Sequence, residues 1–409
     1  MLRKLLQPGP RAGFTRSKPN GTSDFTRHAR RASVSFFGPR DVARAAVRGR
    51  WSALEIRRLT PPERLGTPES AAFEELVGVL NGIVYQLWGD DDFVETAEEA
   101  LAGLREQDYL EKIVLVAVEE GAIVGRVEAD FPLDEDAETV SLLVDVVPAL
   151  RSRGIGSALL AAGEELAAEG GRTVVSAYTE HPVRSLPEEG AWVHAPAGSA
   201  GLPAEDPGVR FALRHGYRLG QIERSSELVL PLPPVRAFAL ASTAATADGY
   251  RVVSWFGAAP DDLLDSFAAL KERMVVDVPH SGIALDREAW TGDRVRAQER
   301  ELAARGEPLL VTAAQCEASG DLAAYTEIAV PADGEKAEQY DTLVASDHRG
   351  HRLGTLVKLH NIHELARRAP HITRLLTWNA DENAPMIAIN RAFGFRPHAL
   401  TGTWQKRLG

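Results

Sequence analysis

One pattern occurs twice in this chain, and it restricts the fold more than any other feature. Residues 146–157 read VVPALRSRGIGS and residues 344–355 read VASDHRGHRLGT. At a constant offset of 198, Val146, Arg151, Gly156 and Ser157 pair with Val344, Arg349, Gly354 and Thr355. Each segment follows a strand-like run (Thr139 to Val147; Tyr340 to Ala345) and leads into an amphipathic helix. Leu159, Leu160 and Leu166 line the first helix up to Gly170-Gly171. Leu356, Leu359, Ile362 and Leu365 line the second up to Pro370.

The likeness extends in both directions. A further strand follows each helix, Thr173 to Tyr178 and Ile372 to Trp378, and each copy closes on His215-Gly216-Tyr217 or Phe393-Gly394-Phe395. From loop glycine to closing glycine the spacing is 60 residues in the first copy and 40 in the second. The extra twenty fall within 181–208, a Pro/Gly/Ala-rich stretch that reads as a long surface loop. Upstream, each copy opens with a short strand (Leu54 to Leu59; Tyr250 to Trp255) and helical sequence. Strands follow at 113–119 and 122–130, then at 308–316 and 322–330. The body is therefore two similar α/β domains, 53–235 and 249–409, with 236–248 as the linker.

Charge divides the chain again. Residues 1–50 hold twelve Arg or Lys against Asp24 and Asp41, whereas the rest carries 34 basic and 56 acidic side chains. The head has no sustained helical or strand period and reads as a disordered basic extension, with a transit peptide or a nucleic-acid arm as the functional alternatives. An acidic body repels nucleic acid and attracts a cationic ligand such as an amine. The single cysteine, Cys316, excludes an internal disulfide framework and a thiolate zinc cluster. It reads as a small hydrophobe in a strand. No uncharged apolar run reaches the ~18 residues of a membrane span, so a cytoplasmic chain with no membrane partner is expected.

Strand, Arg-x-x-Gly-x-Gly, helix is an arrangement suited to phosphate. Backbone N–H groups converge where the helix dipole is positive. Gly154 and Gly156 let an anion approach the main chain, and Arg151 and Arg153 add charge. A plain strand-to-helix turn would also use glycine, but two copies favour phosphate binding. A P-loop is excluded because no Gly-Lys dipeptide exists, and Leu159 stands where a dinucleotide fingerprint needs its third glycine.

On these residues the chain resembles the GNAT superfamily of N-acetyltransferases, in a tandem arrangement of actinobacterial type. The resemblance implies two domains, each a mixed, mostly antiparallel twisted sheet flanked by helices, with acetyl-CoA as co-substrate. Implied contacts in the first copy are Asp145, Val146 and Val147 for the pantetheine arm, then Arg153, Gly154, Ile155, Gly156, Ser157 and Ala158 for the pyrophosphate. In the second copy they are Leu343, Val344 and Ala345, then His351, Arg352, Leu353, Gly354, Thr355 and Leu356, with Arg349 matching Arg151. Arg352 replaces the first loop glycine. Asn383 stands at the family's pantetheine Asn, but Asn390 stands at its proton-donating Tyr. The first copy has Glu205 and Ala212 at those places.

Acetylating an amine requires a carboxylate to accept its proton and donors for the oxyanion. Glu327 and Asp341, acids within apolar strand-like runs, are the candidate bases, with Glu128 and Asp145 behind them. The run Asp90-Asp91-Asp92 reads as a solvated loop or as a steering patch. His360 and His363 read as surface histidines, and no metal site is expected. The expected activity is acetyl transfer to a primary amine of a small acceptor. The alternatives are transfer to a protein amine, or a non-catalytic acyl-CoA-binding protein with degenerate domains.

Overall fold

The computed structural model describes residues 54–409 except 106, 246 and 279–281; the basic extension 1–50 lies outside the described residues. The first copy runs β1 (Glu55–Leu59), α1 (Ala71–Trp88), α2 (Ala97–Arg105), β2 (Leu110–Glu119), β3 (Ala122–Pro132), β4 (Thr139–Val146), α3 (Ile155–Glu169) and β5 (Val174–Pro182). It continues through a small hairpin, β6 (Trp192–His194) and β7 (Gly201–Pro203), to α4 (Pro207–Arg214) and β8 (Arg218–Val229). After α5 (Pro234–Ala244), the second copy runs β9 (Tyr250–Phe256), α6 (Leu264–Glu272), α7 (Met274–Asp277), α8 (Gly292–Ala304), β10 (Leu309–Cys316), β11 (Leu322–Ala329) and β12 (Lys336–Val344). It ends with α9 (Leu353–Arg368), β13 (Arg374–Ala380), α10 (Ala384–Phe393) and β14 (Arg396–Arg407).

Layering follows from the apolar pattern. In β2, Ile113 to Val118 are all buried because the sheet is covered on both faces. Helices α1 and α2 close one face over Val114, Val116 and Val118. Helix α3 closes the other through Leu159, Leu160 and Ala167. The second copy repeats this, with Phe267 and Leu302 of α6 and α8 on one face and Leu359, Ile362 and Leu365 of α9 on the other.

The two copies share one twelve-stranded sheet, in the order β1-β2-β3-β4-β5-β14-β8-β13-β12-β11-β10-β9. Its order reads from each edge as the same series, mostly antiparallel with one parallel pair per copy, β4–β5 and β12–β13. At the centre the copies exchange their last strands. β14 of the second copy pairs with β5 of the first along Ala399↔Pro182 to Arg407↔Val174, and β8 of the first pairs with β13 of the second. Trp404 of β14 is fully buried in the first copy's core and donates to Thr179 Oγ1 at 2.9 Å. The repeat boundaries 53–235 and 249–409 thus divide the sequence into copies, while each folded half contains a strand of the other.

Two connecting segments also carry structure. The linker 236–248 is largely helix. Pro234 presets the first turn of α5, and Leu240 and Ala244 pack into the second copy. The long loop crosses to the second copy, where the amides of Ser199 and Ala200 donate to Asp381. Within the acidic run Asp91 is exposed, as a solvated loop would have it, but Asp92 makes a two-pronged pair with Arg374 of β13, and Lys336 lies 4.0 Å from the Phe93 ring centre.

Candidate active site

Two splays define the functional geometry. β4 and β5 pair only from Thr139↔Val174 to Leu142↔Ala177, after which β4 runs on to Val146 and β5 to Pro182 without pairing. β12 and β13 pair only from Lys336↔Arg374 to Gln339↔Thr377. The edges carrying Asp145 and Val146, and Leu343 and Val344, therefore face an opening. Val147 and Ala345 do not present their amides to it. Val147 N donates to Val124 O at 3.0 Å and Ala345 N to Ala323 O at 2.9 Å.

The two loops beyond the splays follow one path with different residues. A short 3-10 turn, Pro148–Leu150 or Ser346–His348, leads into each. Arg151 Nε then donates to Val146 O (3.1 Å), as Arg349 Nε donates to Val344 O (3.4 Å). These two arginines bind their own strand ends. Positive φ falls at Ser152 (62°) and Gly154 (90°) in the first copy and at Gly350 (88°) and Arg352 (60°) in the second. Gly154 and Arg352 are the N-caps of α3 and α9, and neither contributes a side-chain cap. The first-turn N–H groups of Ile155, Gly156 and Ser157, and of Leu353, Gly354 and Thr355, have no intrahelical acceptor. A Cβ added at Gly154 would meet nothing within 4 Å. The cradle is open to an anion, and the Cβ of Arg352 has room in the matching place.

Around these cradles the copies differ. In the first, Arg153 pairs with Glu119 at 2.9 Å, and Ser157 Oγ shares a 3.0 Å hydrogen bond with His215. Ala212 is buried and offers no proton donor; Glu205 pairs with exposed Arg210 at 3.5 Å. In the second, His351 Nδ1 stands 3.2 Å from His348 O. Asn383 accepts from Met386 N at 3.3 Å and so caps α10. Asn390 accepts a 2.7 Å bond from Lys358 Nζ on α9, and burial lowers that lysine to about 7.

Beyond the β4 edge of the first copy lies a cavity of about 850 Å³. Leu143 and Asp145 of β4, Tyr178 and Glu180 of β5, and Arg305, Lys336 and Arg374 of the second copy contribute to its walls. Eleven acidic and five basic side chains line it. Arg126 takes up one of these acids, its Nε donating to Asp145 at 2.9 Å, and its guanidinium also pairs with buried Glu128 outside the lining. Glu180 accepts no hydrogen bond from any described residue. Tyr178 lies 3.4 Å from Ser141 Oγ, and burial raises its phenol above the ordinary tyrosine value. Sequence reasoning passed over both residues, although Ser176, Tyr178 and Glu180 put three polar groups on one face of a strand.

The predicted bases Glu327 and Asp341 do come together, but around a cation. Lys271 Nζ of α6 donates to Glu327 at 2.6 and 3.0 Å and to Asp341 at 3.3 Å. Burial pushes the Glu327 carboxyl up to about 7. To accept a proton from an outside amine, either acid must first part from Lys271. Cys316 ends β10, opposite Tyr250 of the sheet's outer strand. Among the described residues no group of three or more His, Cys, Asp or Glu could hold a metal, and no helix is long and apolar enough to cross a membrane.

Residues 81–186, all in the first copy, match the acetyltransferase (GNAT) family model. No curated protein matches the chain. Among solved structures, a tandem GNAT protein from the clavulanic acid biosynthesis pathway is 25% identical, covers 87% of this chain and 99% of its own, and superposes with a TM-score of 0.65. A GCN5-related N-acetyltransferase from Sphaerobacter thermophilus is 17% identical over 87% of this chain and 96% of its own, with a TM-score of 0.56.

Proposed function

We propose that the chain is two GNAT-type units in tandem, as the family match of the first copy and the likeness to a tandem GNAT structure support, and that it is an acetyl-CoA-dependent N-acetyltransferase whose working cleft is in the first copy. Its acceptor is a small, cationic primary amine, and transfer is direct. The observation that carries this reading is the acidic 850 Å³ cavity bounded by both splayed strands of the copy with the complete Arg-x-x-Gly-x-Gly loop. Acidic walls concentrate an ammonium ion, and a cavity of this size suits a small molecule.

Acetyl-CoA supplies an acyl thioester. Its pyrophosphate is assigned to the first-turn amides of α3, with Arg153 alongside, and its pantetheine arm to the β4 edge at Leu143 to Val146. The unpaired N–H groups on that edge are positioned to stabilise an oxyanion. Glu180 receives the proton that the amine must lose, because Asp145 and Glu128 are committed to Arg126. Tyr178, held protonated by burial, is the proton donor for the leaving thiol.

The test is release of free thiol from acetyl-CoA by the full chain against a panel of small primary amines. Glu180→Gln is expected to lower kcat about 10²- to 10⁴-fold while leaving acetyl-CoA affinity unchanged. Full activity in that variant removes Glu180 as the base. Binding of acetyl-CoA with no turnover on any amine would instead favour an acyl-CoA-binding protein, a reading that Ala212 and Asn390 at the family's Tyr position keep open.

A further inference from the structure

The second copy holds a lysine against the glutamate that the first copy pairs with an arginine of its own strand, and that lysine comes from a helix of the chain. Glu128 pairs with Val114 of β2 as Glu327 pairs with Val311 of β10, each three residues beyond Gly125 or Ala324, although the β11–β12 register is irregular at Glu327. The two glutamates hold the same place in the two copies. In the first, the charge partner is Arg126, on the same strand and two residues away, which also borders the open cavity. In the second, Tyr325 replaces that arginine, and Lys271 enters from α6.

The surroundings of Lys271 are those that recognise a primary ammonium. Two carboxylates accept its protons, and Tyr325 Oη donates to the same Asp341 at 3.1 Å. Three aromatic rings enclose the nitrogen, with centres at 4.6 Å for Trp290 and 5.4 Å for Phe267 and Tyr325. The wall is braced. Phe267 meets both Trp255 and Tyr325 edge-on, and Trp290 Nε1 donates to Glu288 at 3.1 Å. Lys271 is 1% exposed and Glu327 fully buried. Burial alone would lower the lysine, yet Glu327 and Asp341 carry it above the ordinary value, so it stays charged. An aromatic box with paired carboxylates binds alkylammonium ions through cation–π and charge-assisted contacts.

We propose that the second copy contains an alkylammonium-binding site filled by the protein's own Lys271, which closes this copy to outside amines. The inference rests on the acetyl-transfer reading, and deepens it by assigning acceptor binding to the first copy alone. A simple buried ion pair would leave a gap with no affinity for small amines when its lysine is cut back; a cage would take one up.

The experiment uses the full chain with Lys271→Ala and n-propylammonium chloride as the probe, read by thermal unfolding without acetyl-CoA. The expected result is a saturable rise in Tm of about 2 °C or more in the variant, absent in the unaltered protein. It is also expected to be absent in Lys271→Met, where the box is already full, and in Lys271→Ala/Glu327→Gln, where a carboxylate is gone. No saturable rise in folded Lys271→Ala, or an equal rise with neutral n-propanol, overturns the proposal. Should Lys271→Ala fail to fold, its refolding yield with and without n-butylammonium reads the same site. Equal yields overturn the proposal. Because acetyl-CoA is absent, this outcome is independent of whether the first copy proves to be a transferase.

Discussion

The first and second clefts have nearly the same backbone and opposite contents. Both begin where a parallel pair of strands parts, both turn through two residues of positive φ, and both end on a helix N-terminus. In the first, Arg126 ties up two acids and leaves Glu180 facing a cavity. In the second, Lys271 and its rings enclose Glu327, the counterpart of Glu128, and buried Lys358 stands where the first copy has Leu160. A loop of this kind thus specifies a path for the chain, whereas the chemistry depends on side chains delivered from other elements.

The comparison is most exposed at the strand exchange. If each half contains a strand of the other, one substitution must unfold both. Trp404→Ala empties a fully buried site in the first copy's core from the last strand of the second. We expect a loss of about 3–5 kcal/mol and a single calorimetric transition. Two separated transitions, with only one displaced, would mean that the copies fold independently despite their shared sheet.

A pH test separates the copies next. Lys358 is held at about 7 by burial, against about 10.4 in an unfolded chain. Between those values the folded protein binds fewer protons than the unfolded one, so stability rises with pH from 7 towards 10. Below 7 the penalty for charging this lysine is fully present. The gain is on the order of a few kcal/mol. Lys358→Met, which approaches the Leu160 of the first copy, should flatten the curve in that window. A slope unchanged in the variant assigns the effect to another group.

Much of this was legible in the sequence for a physical reason: glycines at positive φ, helix stops and apolar spacing are local signals. The repeat, the loops and most strand positions follow from them. The strand exchange is not local, since β8 and β14 are alike in length and either could pair with β5 or β13. Lys271 was hidden because it comes from a helix outside the repeated motif. Glu327 was visible as an acid in an apolar strand, but its partner was not. The partner of Asp92 was hidden for a related reason: it is Arg374, 282 residues away.

Exchanging loop residues tests whether path and chemistry are separable. Gly154→Glu places a carboxylate at the anion cradle and is expected to weaken acetyl-CoA binding to the full chain tenfold or more, about 1.4 kcal/mol. Gly154→Arg, which copies the second loop, should keep binding, because the Cβ has open space and Arg352 already adopts the required conformation. Calorimetric titration distinguishes them. Equal loss in both variants would show that any side chain at this position blocks the anion.

The reverse exchange, Arg352→Gly, has the smallest effect. A non-glycine residue in the left-handed region costs about 1 kcal/mol, which glycine would relieve. Glycine also frees the unfolded chain, which offsets about 0.5–1 kcal/mol of that relief. Arg352 is exposed and makes no cap bond, so the two terms nearly cancel. The urea midpoint should shift by an amount equivalent to about 0.5 kcal/mol or less. A clear loss of stability would mean that the guanidinium holds the second loop in place. The second loop would then differ from the first in what maintains its path, as well as in what surrounds it.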